Sequence, residues 1–318
     1  MSARDDRSKV AVLGAGLMGL GIGQVLAAAG HEVALYDPDP LAVTSVVERA
    51  AAVFELLDQD LDGLARIDAT GELDRAVAGA GLVIEAGPED LAVKRRIFAN
   101  ACAHATPGAV LATNTSSIPV AALAEPLGDD ARRFLAAHFW HPPYLVPLVE
   151  VVPGARTAPT VAAEVVSLLS AAGLQPVRLA VDVPGFVGNR LQHALKREAI
   201  ALVASGVCDA ETVDAVSRWG FGLRLPALGP LEQSDLVGLE LTLAIHRQLI
   251  PSLDTTPAAH PLLEQKVAEG KLGMATGEGF RRWTPEEAAA VRRRVTDHLV
   301  QAARRRSGRV ASGGAAAR

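Results

Sequence analysis

Apolar residues fall into two regimes along this chain. Up to about residue 182, short apolar runs alternate with helical stretches and with turns of Gly, Pro and small polar residues; beyond it only helical patterns continue. Residues 9–13, 32–36, 82–85, 109–113 and 148–152 read as buried strands, and so does the apolar run that carries His138. Residues 186–204 and 210–219 read as helices, the second with Asp209 as its N-cap. The alternation predicts an α/β fold, with a parallel sheet in residues 1–182 and a helical domain in residues 183–318. An apolar stripe over residues 236–250 is left to face either its own core or a partner subunit.

Two of the apolar strands carry one polar side chain each. His138 lies in Ala137-His138-Phe139, Glu150 in Leu148-Val149-Glu150-Val151-Val152, and a Pro-rich turn joins the two runs. A buried, unpaired Glu costs several kcal/mol, roughly, so Glu150 needs a partner. His138 is within reach if the strands fold back on each other. A carboxylate behind an imidazole fixes its tautomer and favours its protonated form, which is how a general base is built. The same residues also read as a structural ion pair between core strands.

The strand at 9–13 runs directly into Gly14-Ala15-Gly16-Leu17-Met18-Gly19 and an apolar helix closed by Gly30; a second strand follows, ending on Asp37. This is a dinucleotide-binding fingerprint in its required context. Gly14 serves the tight turn, Gly16 the approach of a pyrophosphate, and Gly19 the packing of helix on strand. The pyrophosphate is expected on the helix N-terminus. Asp37, eighteen residues after Gly19, is placed to accept ribose hydroxyls. Pro38-Asp39-Pro40 offers no base for a 2′-phosphate, so NAD is expected over NADP. Between Asp37 and Gly63 stand seven acids and one base, Arg49.

Later strand ends add candidates. Glu89 and Lys94 follow the strand at 82–85, and Asn114-Thr115-Ser116-Ser117 follows the strand at 109–113. In a doubly wound sheet these positions face the ligand crevice. Glu89 and Lys94 also fit an ordinary helix N-terminal pair, and the small polar run fits a helix cap.

Bulk properties narrow the class. A chain of 318 residues with 49% hydrophobic and 21% charged residues suits two soluble domains. A net charge of -5 argues against nucleic-acid binding. Cys102 and Cys208 lack metal-ligand spacing and fit packing roles in a reducing cytoplasm; no metal site is expected. No leader-like or membrane-spanning stretch is read from the sequence. The basic run Arg304-Arg305-Arg306 and the Ser/Gly/Ala-rich residues after it are expected to fray.

Taken in order, the glycine loop, Ile84-Glu85-Ala86-Gly87-Pro88-Glu89-Asp90, Asn114-Thr115-Ser116-Ser117, His138-Phe139-Trp140-His141-Pro142, Leu148-Val149-Glu150-Val151 and Pro184-Gly185-Phe186-Val187-Gly188-Asn189-Arg190 resemble the 3-hydroxyacyl-CoA dehydrogenase family. Gly229-Pro230-Leu231-Glu232, Asp235-Leu236-Val237-Gly238-Leu239 and Gly277-Glu278-Gly279-Phe280 extend the resemblance, which covers residues 8–283. It implies a Rossmann-like NAD-binding domain, a helical domain through which members dimerise, and oxidation of an L-3-hydroxyacyl substrate to the 3-oxo product, as in fatty acid metabolism. By the same resemblance His138 is the base, Glu150 its orienting acid, and Ser116 and Asn189 the hydrogen-bond partners of the substrate oxygens. The implied cofactor contacts are Gly14, Gly16, Leu17, Met18, Gly19, Asp37, Glu89, Lys94, Asn114 and His141.

Two departures matter. His141 stands where the family commonly has Asn. The helix after Asp37 is acidic where acyl-CoA members carry Ser and Lys, so it should repel the CoA phosphates. The Pro143-Tyr144-Leu145-Val146-Pro147 turn looks more like the branch acting on free gulonate, carnitine or pyridine carboxylates. The substrate expectation is therefore acyl-CoA by family and a small free hydroxy acid by these two features. A non-catalytic NAD-binding protein is the third reading, at odds with the presence of Ser116, His138, Glu150 and Asn189 together.

Overall fold

A computed structural model describes residues 9–312. Eight strands form one sheet: β1 (Val10–Leu13), β2 (Val33–Tyr36), β3 (Ile67–Thr70), β4 (Leu82–Glu85), β5 (Val110–Thr113), β6 (Phe134–Phe139), β7 (Leu148–Pro153) and β8 (Gln175–Arg178). Their spatial order is β3-β2-β1-β4-β5-β6-β7-β8. The first six strands pair in parallel, β7 runs antiparallel to β6, and β8 is parallel to β7. The order reverses beside β1, at the switch point where such sheets bind nucleotides.

Helices cover both faces, which is why the central strands read as apolar runs, broken only by Glu85, Thr113 and His138 towards their ends. On one face α1 (Leu17–Ala28), α3 (Val46–Leu57) and α7 (Pro159–Ala171) pack on Val10 and Val12. On the other, α4 (Leu73–Val77), α5 (Leu91–His104) and α6 (Val120–Ala124) pack on Ala11 and Leu13. The helix expected after Asp37 is two, because α2 (Pro40–Thr44) ends at Ser45, where α3 begins. Strands β3 and β8 lacked the apolar runs that would reveal them. Both lie at sheet edges, and β8 is largely exposed.

The remaining helices are α8 (Gly188–Ala204), α9 (Ala210–Trp219), α10 (Pro230–Val237), α11 (Leu239–Leu249), α12 (Pro261–Ala268) and α13 (Pro285–Ser312). Asp209 caps α9 by accepting from Thr212 N–H at 2.8 Å. Two compact units result: one runs to Phe186 and takes in residues 296–312, the other is Val187–Val295. Residues 296–312 therefore group with the sheet, whereas the sequence assigned residues 183–318 to one helical domain. The basic stretch does not fray at residue 304 as expected. It continues α13, and Arg306 Nη2 donates to the Leu145 carbonyl at 3.0 Å. The rest of that tail, residues 313–318, lies outside the described residues. Within Val187–Val295, helices α8 to α12 bury none of their residues in the single chain. No helix among the described residues is long and apolar enough to cross a membrane.

Candidate active site

The site begins with the ladder between β6 and β7. His138 lies directly opposite Glu150 in the antiparallel register. Side chains so paired share one face of the sheet, and a slip by one residue would part them. His138 Nδ1 and Glu150 Oε2 are 2.9 Å apart, with 5% of His138 and 1% of Glu150 exposed. The same Oε2 accepts from Trp140 Nε1 at 3.2 Å. Trp140 stands two residues on from His138, just past the end of β6, where the strand's alternation still turns it to the same side, and it was not anticipated. That alternation was the available signal.

On the other side of the ring, His138 Nε2 lies 3.2 Å from Ser116 Oγ. Ser116, His138 and Glu150 thus form one hydrogen-bonded line from an exposed hydroxyl to a buried carboxylate. The Phe186 ring closes on His138 at 5.4 Å between centroids. Phe186 holds a left-handed backbone (φ 50) and is 2% exposed. For a non-glycine residue that conformation costs about 1–2 kcal/mol, which its apolar burial offsets.

Glu89 sets the Ser116 loop. Its Oε1 accepts from Thr115 Oγ1 at 2.6 Å, and from Ser116 N, Ser117 N and Ser117 Oγ at 2.9 Å each. Burial alone would push its pKa up; the hydrogen bonds from Thr115 and Ser117 and the Lys94 ammonium outweigh that and hold it below the ordinary 4.5. Lys94, expected as a cofactor contact, is turned inward. It is 1% exposed, and its Nζ donates to both oxygens of buried Glu85 at 2.8 and 2.9 Å. It also reaches Glu89 Oε2 at 3.4 Å. Glu85, at the end of β4, takes two further bonds, from Gly87 N and Thr113 Oγ1. A carboxylate with no exposure demands a cation, and that demand takes Lys94 inward.

The remaining expected positions divide. Asn114 is 8% exposed and accepts from Phe139 N–H at 2.8 Å, tying β5's end to β6. His141 is exposed at the start of the turn after Trp140. Asn189 is the second residue of α8, in the other unit. No group of three or more His, Cys, Asp or Glu able to hold a metal occurs among the described residues.

At the switch point the glycine loop has the shape a dinucleotide requires. Gly14 has φ +116, and a Cβ there would meet the Ala86 carbonyl at 2.8 Å. A Cβ on Gly19 would stand 1.7 Å from the Gly14 carbonyl oxygen, whereas one on Gly16 would meet nothing within 4 Å. So Gly19 is filled space and Gly16 open space, as a pyrophosphate at the start of α1 needs. No side chain caps that helix, and no acid stands in its first turn. Leu17, 72% exposed, and the half-buried Met18 begin the helix beside it. Asp37 accepts from Ala15 N–H at 2.8 Å and from Asp39 N–H at 2.9 Å. A carboxylate has about four acceptor sites, which leaves capacity for ribose hydroxyls. Arg49, the lone base of its stretch, donates to the Ala15 carbonyl at 2.9 Å.

Comparison with known proteins agrees with this geometry. The family model described as 3-hydroxyacyl-CoA dehydrogenase, NAD binding domain, matches residues 9–183, and that of the C-terminal domain matches residues 185–283. The 5-formyl-3-hydroxy-2-methylpyridine 4-carboxylate 5-dehydrogenase of Mesorhizobium japonicum is 33% identical over 309 residues, which span 94% of this chain and 98% of the relative. A probable 3-hydroxybutyryl-CoA dehydrogenase of Deinococcus radiodurans is 36% identical over 283 residues, 86% of this chain and all of the relative. Among solved structures, one described as a 5-formyl-3-hydroxy-2-methylpyridine 4-carboxylic acid 5-dehydrogenase and NAD+-dependent dismutase matches with a TM-score of 0.88 at 32% identity. It covers 95% of this chain and 99% of its own.

Proposed function

Because the chain belongs to the 3-hydroxyacyl-CoA dehydrogenase family and is an NAD-dependent oxidoreductase acting on CH–OH groups, we propose that it oxidises a small free hydroxy acid, with His138 as general base. The observation that carries the reading is the line Ser116 Oγ–His138 Nε2–His138 Nδ1–Glu150 Oε2, at 3.2 and 2.9 Å. When bound, NAD supplies the hydride acceptor. His138 Nε2 takes the substrate hydroxyl proton as the C–H bond breaks. Glu150 accepts from Nδ1–H, which leaves Nε2 as the basic nitrogen and stabilises the imidazolium that forms. Ser116 Oγ hydrogen-bonds the substrate oxygen and steadies the charge developing on it. Asn189 is a second such partner, a role that rests on the family motif alone. At the cofactor, Gly14, Gly16, Leu17, Met18 and Gly19 receive the pyrophosphate and Asp37 the ribose, with Asn114 and His141 at the nicotinamide end. Glu89 acts there through the Ser116 loop.

The free-acid substrate is favoured by the exposed carboxylates of Glu48, Glu55, Asp58, Asp60 and Asp62 after the ribose acid. A 3′-phosphoadenosine group meets repulsion on such a surface. The fuller alignment with the pyridine carboxylate dehydrogenase points the same way. Acyl-CoA is the second reading, favoured by the 36% identity to the hydroxybutyryl-CoA relative. NADH formation with L-3-hydroxybutyryl-CoA, with free 3-hydroxybutyrate, gulonate and carnitine, and with hydroxymethyl- and formyl-pyridine carboxylates decides between them. His138→Ala is the blank. Turnover of the thioester alone overturns the free-acid reading. An active His138→Ala overturns the base.

The functional assembly in this reading is a cytoplasmic homodimer built on the helical unit. There Leu231, Leu236 and Trp219 are 80%, 75% and 72% exposed in the single chain, far more apolar surface than a monomer usually leaves open. A monomer in sedimentation equilibrium overturns it.

A further inference from the structure

The turn at residues 141–147 joins the two strands of the His138–Glu150 pair, and only part of its support comes from its own hydrogen bonds. The bond nearest it between the two strands, Trp140 N–H to the Leu148 carbonyl, is 3.4 Å long. Within the turn, Leu145 N–H and Val146 N–H both donate to the Pro142 carbonyl, at 2.9 and 3.0 Å. The rest of its support comes from outside. The helix α1 touches it, since a Cβ on Gly21 would lie 2.9 Å from Pro143 Cδ. At its far end Gln175 N–H donates to the Pro147 carbonyl at 2.8 Å, and the last turns of α13 hold its middle. Leu145, Val300 and Ala303, at 3%, 9% and 8% exposure, form a small apolar cluster separate from the two main cores, flanked by Leu57, Tyr144 and Leu299. Beside it Arg306 Nη2 donates to the Leu145 carbonyl at 3.0 Å. This segment lies beyond residue 283, where the family domains end.

We propose that the end of α13 positions the active site: Arg306 and the Val300–Ala303 face hold the turn, and through it Trp140 and His141, against the His138–Glu150 pair. The proposal rests on His138 being the base. Its physical basis is leverage. Trp140 is the first residue past β6, at the entry to the turn, and its Nε1–H shares Glu150 Oε2 with the imidazole. A turn released at Leu145 lets Trp140 swing, changes what Glu150 accepts, and frees His141 at the mouth of the site. Displacements of about 1 Å at a reacting pair lower rates by up to roughly 100-fold. Arg306 is thus a positioning residue, acting on the chemistry only through the turn.

Arg306→Met and Arg306→Lys in the full-length protein test this. Amide exchange in residues 141–150 is expected to quicken about tenfold in Arg306→Met and to return towards the wild-type rate in Arg306→Lys, which keeps a donor for the Leu145 carbonyl. With the panel compound that yields NADH, Arg306→Met should lose about tenfold in kcat and shift the acid limb of the pH profile, with NADH affinity within about twofold of wild type. Unchanged exchange overturns the clamp. Faster exchange with an unchanged pH profile and kcat makes α13 a stability element only, and overturns the positioning role. If His138→Ala is inactive while Arg306→Met matches wild type, only this inference fails. If His138→Ala is active, the base falls and the inference with it.

Discussion

Glu150→Gln removes one negative charge from behind His138 while keeping the side chain's size. The wild-type carboxylate is 1% exposed, accepts from Nδ1 at 2.9 Å and from Trp140 Nε1 at 3.2 Å. As the imidazole takes the substrate proton, a full positive charge appears beside it. With charge centres about 4 Å apart and an effective dielectric of about 20, that pair is worth about 4 kcal/mol. At about 1.4 kcal/mol per decade, kcat/KM should fall roughly 1,000-fold. The amide can also turn its NH2 towards Nδ1 and favour the wrong tautomer, which pushes the loss further in the same direction. Steady-state NADH formation measures the loss, and NADH fluorescence titration should show cofactor affinity within about twofold of wild type. A folded Glu150→Gln enzyme that loses less than about tenfold would refute the electrostatic role, whatever the 2.9 Å contact contributes to packing.

Three further outcomes follow from the same interactions. Lys94→Met strands Glu85 at 0% exposure with only neutral donors, at a cost of about 3–5 kcal/mol, so thermal melting should fall by about 10 °C, and adding Glu85→Gln should restore part of it. Glu89, its pKa held below 4.5 against its burial by Thr115, Ser117, Lys94 and Ser116, stabilises the fold fully above that pH and loses the contribution as pH falls through the lowered value. The melting-temperature gap between wild type and Glu89→Gln should therefore be widest near neutrality and close below pH 4.5. Burial, with Asp130 beside it, raises the Cys102 thiol to about 11, so at pH 8 roughly one thiol in 1,000 is thiolate; iodoacetamide followed by mass spectrometry should label it slowly until urea unfolds the chain.

Much of the fold was legible because local and global signals coincide in it. The run from β1 through the glycine loop to Asp37 announces itself, since each residue type there answers a backbone or packing demand that few others meet. The pairing of His138 with Glu150 was legible for a different reason. Burial makes a lone polar residue in an apolar strand need a partner, and a short turn leaves few candidates. Lys94 reads from the sequence as a cofactor contact or as an ordinary partner of Glu89, which leaves out the second acid within its reach, Glu85. Burial decides for Glu85, and burial at a strand end is a property of the assembled sheet. The edge strands β3 and β8, mixed in polarity, carry too weak an alternation to be read. The return of α13 rests on contacts between positions as far apart as Leu145 and Arg306, which no local pattern encodes.

The antiparallel turn of β7 is what makes the arrangement possible. The carboxyl ends of the parallel strands gather at the crevice: β4 ends on buried Glu85, Ser116 lies just past β5, and His138 near the end of β6. A further parallel strand would need a crossover before it could bring an acid to that edge. Because β7 doubles back at once, its start lies at the same edge, and Glu150, its third residue, meets His138 in register. Ser116 has no ladder to place it, being in the loop after β5. Its position comes from Glu89, whose single oxygen Oε1 gathers four donors of that loop, while Lys94 links Glu89 to the buried Glu85. Replacing a buried ion pair by apolar groups often leaves stability unchanged or better. If Glu85→Leu with Lys94→Met folds as well as wild type yet loses kcat, the ion pair serves the Ser116 loop; if kcat is retained, the pair is only a core contact, and the loop is held by Glu89 alone.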